Sequence, residues 1–166
     1  MKISCAGIRK EKTAYFLAEK PDKMALFSRD DYKICENYFM AGSGLLSDFQ
    51  ALMRETRKEV NMHITMFDDI SENYVNNVIF SRLTKNILDT NSRALETEVI
   101  VSGPESMYYV SRETGILKIT KGYASGPKKD SALAVIDSFD ISKNPEECLK
   151  KIEKLWAVNC FIFSTE

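Results

Sequence analysis

The stretch "FMAGSGLLSDFQALM" (Phe39–Met53) decides the fold. An apolar run reaches Gly42-Ser43-Gly44 and then continues at helical spacing. Glycines between a strand and a helix have two physical uses. They can open backbone N–H groups at a helix start to a phosphate, or they can let two layers approach where a Cβ would not fit. A Walker-type loop requires Gly-Lys-Ser/Thr after the glycines, and here Leu45 and Leu46 follow Gly44. A dinucleotide fingerprint requires a third glycine where Ser47 stands and an early βαβ unit. The passage therefore reads as a structural pivot, a loop on which the chain turns from strand to helix.

From this point the periodicity extends both ways. Leu45, Phe49, Leu52, Met53, Thr56 and Val60 recur at intervals of three and four, a helix of about four turns. "DDISENYVNNVIFSRLTKNIL" predicts a second helix, with Asp69 as N-cap, Glu72 three residues on, and an apolar face of Val75, Val78, Ile79, Leu83 and Ile87. Before the pivot, "KISCAGIR", "TAYFLAE" and "YKICENYFMAG" read as strands. After the helices, "TEVIVSGPESMYYVSRETGILKITKGYASG" gives strands parted by Gly103-Pro104 and Thr114-Gly115. A second strand-to-helix passage follows in "GYASGPKKDSALAVIDSF". "NPEECLKKIEKLWAV" is a helix capped by Asn144, with Pro145 first and Glu147 completing the box, and "VNCFIFST" closes as a buried strand. Strands, two helices, strands, two helices, strand is the order of an α+β chain built as a four-layer αββα sandwich. A parallel sheet would alternate strand and helix singly.

Composition narrows the function classes. The 166 residues suit one domain over 1–166, with roughly two-thirds of the unfolded surface buried. Hydrophobic residues make up 44% and charged residues 28%, with a net charge of −1 and no basic stripe, which argues against nucleic acid as the main partner. No apolar run approaches the ~20 residues of a membrane span. "MKISCAGIRKEK" has no apolar h-region, so no signal peptide is expected and the cytoplasm is the expected compartment. Cys5, Cys35, Cys148 and Cys160 form no C-x-x-C pair and read as reduced thiols. The one histidine, His63, reads as a surface or packing residue, so no metal or cofactor is expected. Lys128-Lys129 reads as an exposed turn.

"YKICENYFMAGSGLLSDFQALMRETRKEV" resembles the strand, Ala-Gly turn and first long helix of proteasome β-type subunits. Ser47-Asp48-Phe49-Gln50-Ala51-Leu52 carries the likeness most closely. "ISENYVNNVIFSRLTKNIL", "EVIVSGPESMYYVSRETGILKI" and "GYASGPKKDSALAVIDS" follow in the family's order. In length and ending the chain is similar to the compact HslV-type peptidases. The resemblance implies an N-terminal-nucleophile hydrolase fold, rings stacked around a chamber, and an ATPase unfoldase or other subunits as partners.

The family's chemistry uses an N-terminal threonine whose amine serves as base, tuned by an aspartate and a lysine and supported by a serine in the later glycine turn. A hydroxyl alone is a poor nucleophile and needs such help. By position, Ile3 stands where the threonine would, with Ser4 and Cys5 just after. Glu19 stands for the aspartate. The lysine position falls near 25–27, with Lys23 and Lys33 as displaced candidates, and Pro127 replaces the serine. Lysine after Met1 implies a retained methionine. Three readings follow. The first is a homo-oligomeric ring subunit whose threonine centre is lost. The second is an active hydrolase with Ser4 or Cys5 exposed by cleavage and assisted by Glu19 and a lysine. The third is a monomeric binding module.

Overall fold

The computed structural model describes residues 1–20, 28–85, 94–140 and 142–166. The elements run β1 (Lys2–Ile3), β2 (Cys5–Lys10), β3 (Thr13–Glu19), β4 (Lys33–Cys35), β5 (Tyr38–Leu45), α1 (Leu46–Phe67), α2 (Glu72–Lys85), β6 (Thr97–Ser102), β7 (Met107–Ser111), β8 (Gly115–Ile119), β9 (Gly122–Ser125), α3 (Lys129–Ser138), α4 (Pro145–Trp156) and β10 (Cys160–Ser164). One sheet has β1 and β4 side by side on β5, then β6, β7 and β8. The other has the order β10-β3-β2-β9. Pairings within both sheets are antiparallel.

The four-layer αββα sandwich follows from alternation in the second sheet. Along β2 and β3, Cys5, Ala14, Phe16 and Ala18 point into the core shared with the first sheet, beside Met40, Ile100 and Met107. Ala6, Ile8 and Leu17 point the other way and pack on Ala132, Ile136, Leu149 and Ile152 of α3 and α4. Both faces of these strands are covered, so their sequence is a near-continuous apolar run. The helices α1 and α2 cover the outer face of the first sheet.

The glycine passage is part of strand β5 and not a loop, because the strand continues to Leu45 and α1 starts at Leu46. The pivot reading nonetheless has a direct cause. A Cβ on Gly42 would lie 2.1 Å from Cδ2 of Phe49, so only a bare backbone lets α1 fold back onto its own strand. Gly44 has φ +91°, and a Cβ there would meet the Glu96 carbonyl oxygen at 2.2 Å.

The start of α2 differs from the sequence reading. Ser71, not Asp69, caps it, its Oγ accepting the Tyr74 N–H at 3.1 Å. Glu72 turns outward from the helix start and accepts the Glu105 and Ser106 N–H groups and the Tyr108 hydroxyl, tying α2 to the turn before β7. Ile87 lies outside the described residues. Asn144 caps α4 as expected, its Oδ1 accepting the Glu146 N–H at 3.0 Å. His63 packs α1 on α2, with its ring 3.9 Å from that of Tyr74.

Gly42→Val should lower the unfolding free energy by about 1–3 kcal/mol through overpacking against Phe49. Urea denaturation measures it, and an unchanged midpoint would contradict the close-approach argument.

Candidate active site

The chain begins as an added strand. Ile3 pairs with Gly44 and Lys2 with Leu45, while the Met1 carbonyl accepts the Leu46 N–H at 3.2 Å. Ile3 is 3% exposed. Its side chain is pure hydrocarbon, with no proton to give and no lone pair for attack. A cleft of about 300 Å³ opens beside it, bounded by Lys2, Gly44, Glu98, Gly126 and Pro127 among others.

Behind Ile3, three residues from distant parts of the chain lock together. Glu19, at the end of β3, is 3% exposed. Its Oε2 accepts the Ser4 N–H at 2.9 Å, and its Oε1 accepts from Lys128 Nζ at 2.8 Å. The Lys128 N–H donates in turn to Ser4 Oγ at 3.0 Å. A buried carboxylate is costly unless it is paired and hydrogen-bonded, and both of its oxygens are satisfied here. Gly126 makes the arrangement possible. With φ +105°, it lets the turn sit so close that a Cβ would be 2.7 Å from Ile3 O and from Ser4 Oγ. From the other side, Trp156 Nε1 of α4 donates to the Lys128 carbonyl at 3.0 Å.

A second network joins the two sheets just inside the cleft. Ser43 Oγ of β5 and Ser125 Oγ of β9 are 2.7 Å apart. Ser125 Oγ and the Tyr109 hydroxyl both donate to Glu98 Oε2, at 2.8 and 2.5 Å. Burial, with the hydrogen bond to Glu98 as a second cause, pushes the Tyr109 phenol well above its ordinary value, so it remains a donor. Thr97 Oγ1 donates to the Ser43 carbonyl at 2.7 Å.

A family profile described as proteasome subunit matches residues 2–155. The chain belongs to the proteasome subunit family. No curated protein matches it in sequence.

Within this proteasome-type fold, the residues singled out in the sequence fall unevenly. Glu19 and Ser4 meet directly. Cys5 does not join them: it is fully buried between the sheets, and burial, with the Glu98 charge adding to it, pushes its thiol far up, away from the reactive thiolate. Lys23 lies outside the described residues. Lys33 pairs with Glu36 at 3.2 Å, away from Glu19. Pro127 takes the turn position between Gly126 and Lys128 and is exposed. Lys128 corrects the expectation of an exposed turn, since it reaches inward to Glu19. Sequence reasoning also missed Ser43, Glu98, Tyr109 and Ser125. Each lies on a different strand, and only the sheet pairings bring them together. Among the described residues, no three His, Cys, Asp or Glu side chains converge as metal ligands do, and no helix is long and apolar enough to cross a membrane.

Lys128→Met should cost about 3 kcal/mol, because it leaves the Glu19 carboxylate buried without its cation. Glu19→Gln together with Lys128→Met should cost less than the sum of the single changes, since the charge left behind is removed as well. Urea titration of the three variants checks both statements. Iodoacetamide at pH 8 should leave Cys5 unmodified in the native protein and label it in denaturant, as read by peptide mass spectrometry.

Proposed function

We propose that this chain is a proteasome-type ring subunit, one domain over 1–166, that keeps the sandwich and lacks the threonine peptidase centre. The observation that carries the reading is Ile3. The position that aligns with the family's nucleophile holds a buried hydrocarbon in a strand, whatever precedes it in the chain. The position of the supporting carboxylate is held by Glu19, which is already paired with the Lys128 ammonium and the Ser4 N–H. The serine of the glycine turn is replaced by Pro127, which brings no hydroxyl and stiffens the turn. Such a subunit would act in the cytoplasm as a homo-oligomeric ring, in the manner of the compact HslV-type members, holding peptides or docking an ATPase unfoldase without cutting peptide bonds itself.

One observation favours a second reading. Ser4 already has its nitrogen on Glu19 and its hydroxyl on the Lys128 N–H. Cleavage of the Ile3–Ser4 bond would leave a new amine beside a carboxylate and next to its own hydroxyl, the pairing that an N-terminal nucleophile requires. The hydrogen bonds of Ser4 and the burial of Cys5 favour Ser4 for that role.

Intact mass, fluorogenic peptides and a threonine-directed covalent inhibitor separate the readings. The non-catalytic subunit should keep residues 1–3, turn over no peptide and carry no adduct. Turnover with an adduct on a newly exposed Ser4 would establish the hydrolase instead. Light scattering should give a mass several times the 18.9 kDa of one chain, and a mass near that of one chain would favour the monomeric module.

A further inference from the structure

A groove of about 330 Å³ opens where the turn between α1 and α2 meets the β4–β5 hairpin and the turn after β6. Ile64 and Ile70, both packed on the core, give it apolar walls together with Pro104. Glu36, Asp68 and Asp69 line it too, and among the described residues no Lys, Arg or His side chain does. Glu36 is paired with Lys33 at 3.2 Å, whereas Asp68 and Asp69 are exposed and make no ion pair among the described residues. Asp68 closes α1 in the left-handed region, at φ 53°, with its N–H on the Ile64 carbonyl. Asp69 is free of the helix start because Ser71 caps α2.

The charges on the adjoining elements leave this groove negative. Arg9 donates to the Gly103 and Pro104 carbonyls, and Arg57 to the Lys33 and Asp30 carbonyls. Glu72 accepts from the Glu105 and Ser106 N–H groups and the Tyr108 hydroxyl. With Arg9, Lys33 and Arg57 all counted, three positive charges stand against the five carboxylates of Glu36, Asp68, Asp69, Glu72 and Glu105.

A second observation is independent of charge. Tyr38 lines the groove and is 4% exposed, yet its hydroxyl has no hydrogen-bond partner among the described residues. Burial, with the Glu72 charge next, pushes its phenol up to about 12, so it keeps its proton. Polar groups in buried side chains are normally paired, so the bond of this hydroxyl is left to whatever occupies the groove. Phe67, three residues on from Ile64 and so on the same helix face, is 62% exposed.

We propose that this groove docks an arginine-bearing segment of a partner polypeptide, its guanidinium held by Asp68, Asp69 and the Tyr38 oxygen, and a neighbouring apolar side chain resting on Ile64, Ile70 and Phe67. A guanidinium is flat, stays charged and presents its donors in a fixed fork. It also stacks on aromatic faces, which suits two carboxylates, a phenol oxygen and a bare ring better than a compact ammonium does. An acidic segment would be repelled. The inference stands apart from the ring reading and from the cleft beside Ile3, which shares no residue with this groove.

The test is fluorescence anisotropy on the full chain with a fluorescein-labelled Leu-Arg-Leu-Arg-Leu peptide. A second peptide carries citrulline for arginine, which keeps the shape and removes the charge. The wild type should bind the arginine peptide about tenfold more tightly, as hydrogen bonds to charged groups allow. Asp68→Asn with Asp69→Asn should abolish that preference, and asparagine tolerates the left-handed backbone at position 68. Tyr38→Phe, which deletes only the hydroxyl, should weaken binding about threefold. Glu96→Gln with Glu113→Gln, in the cleft beside Ile3, should bind as the wild type does. Each variant is checked for an unchanged melting temperature. A wild type that does not prefer arginine, or a preference that survives the Asp68/Asp69 change, would overturn the proposal. Unchanged binding by Tyr38→Phe would overturn the place given to the guanidinium. Loss of binding in the Glu96/Glu113 variant would move the contact to the cleft and overturn the groove. A lower mass by light scattering in the Asp68/Asp69 variant would make a second copy of this chain the occupant, and overturn the partner assigned here.

Discussion

The carboxylate of Glu19 is the group around which one end of this molecule is organised. It is buried at the end of β3, where an unpaired negative charge would not be tolerated. Two partners from separate segments meet that demand. Ser4 supplies a backbone N–H, Lys128 supplies an ammonium, and the Lys128 backbone closes the circuit onto the Ser4 hydroxyl. Satisfying one charge therefore fixes the start of the chain, the glycine turn before α3 and the second sheet relative to one another. Gly126 is the steric condition for this, since any side chain there would run into Ile3 and Ser4.

The same arrangement holds the first residues of the chain in the sheet. The Glu19, Ser4 and Lys128 network lies directly behind strand β1. Ile3 is held against Gly44, and its neighbours are bound from both sides. Ile3 is 3% exposed, so its apolar side chain is removed from water. The inter-sheet network of Ser43, Ser125, Glu98 and Tyr109 lies next to the cleft and ties the two sheets together independently of any reaction.

Much of the fold was legible in the sequence because the periodicities were clean. "TAYFLAE" is bounded as strand β3 over the same residues, and the four helices occur in the expected order. Asn144 with Pro145 announced the start of α4 correctly, because a cap is a local interaction read within a few residues. The misplaced cap at Asp69 shows where that logic fails. Asp69 and Ser71 are both good caps, and the choice went to Ser71 while Glu72 was drawn away to the turn before β7, a contact across more than thirty residues. The glycine passage was read rightly as a pivot and wrongly as a loop. Its glycines answer to Phe49 and Glu96, whose approach belongs to layer packing and not to local turn chemistry.

For the candidate site, the sequence by itself determined which atoms are available: a hydrocarbon at Ile3, a hydroxyl at Ser4, a carboxylate at Glu19, and no hydroxyl at Pro127. It could also place these on strands and turns, because alternation and turn chemistry act over a few residues. Which groups meet was decided only by tertiary structure. Lys128 looked like a solvated turn residue because its partner is 109 positions away, and only the pairing of β2 with both β3 and β9 brings the two within hydrogen-bond distance. Cys5 looked as available as Ser4, yet alternation across the inner sheet sends its thiol into the core between the sheets, while Ser4, before β2 begins, meets the glycine turn. Side-chain chemistry is a property of one residue, whereas partnership depends on where two distant strands come to lie, and that is set by how the layers pack.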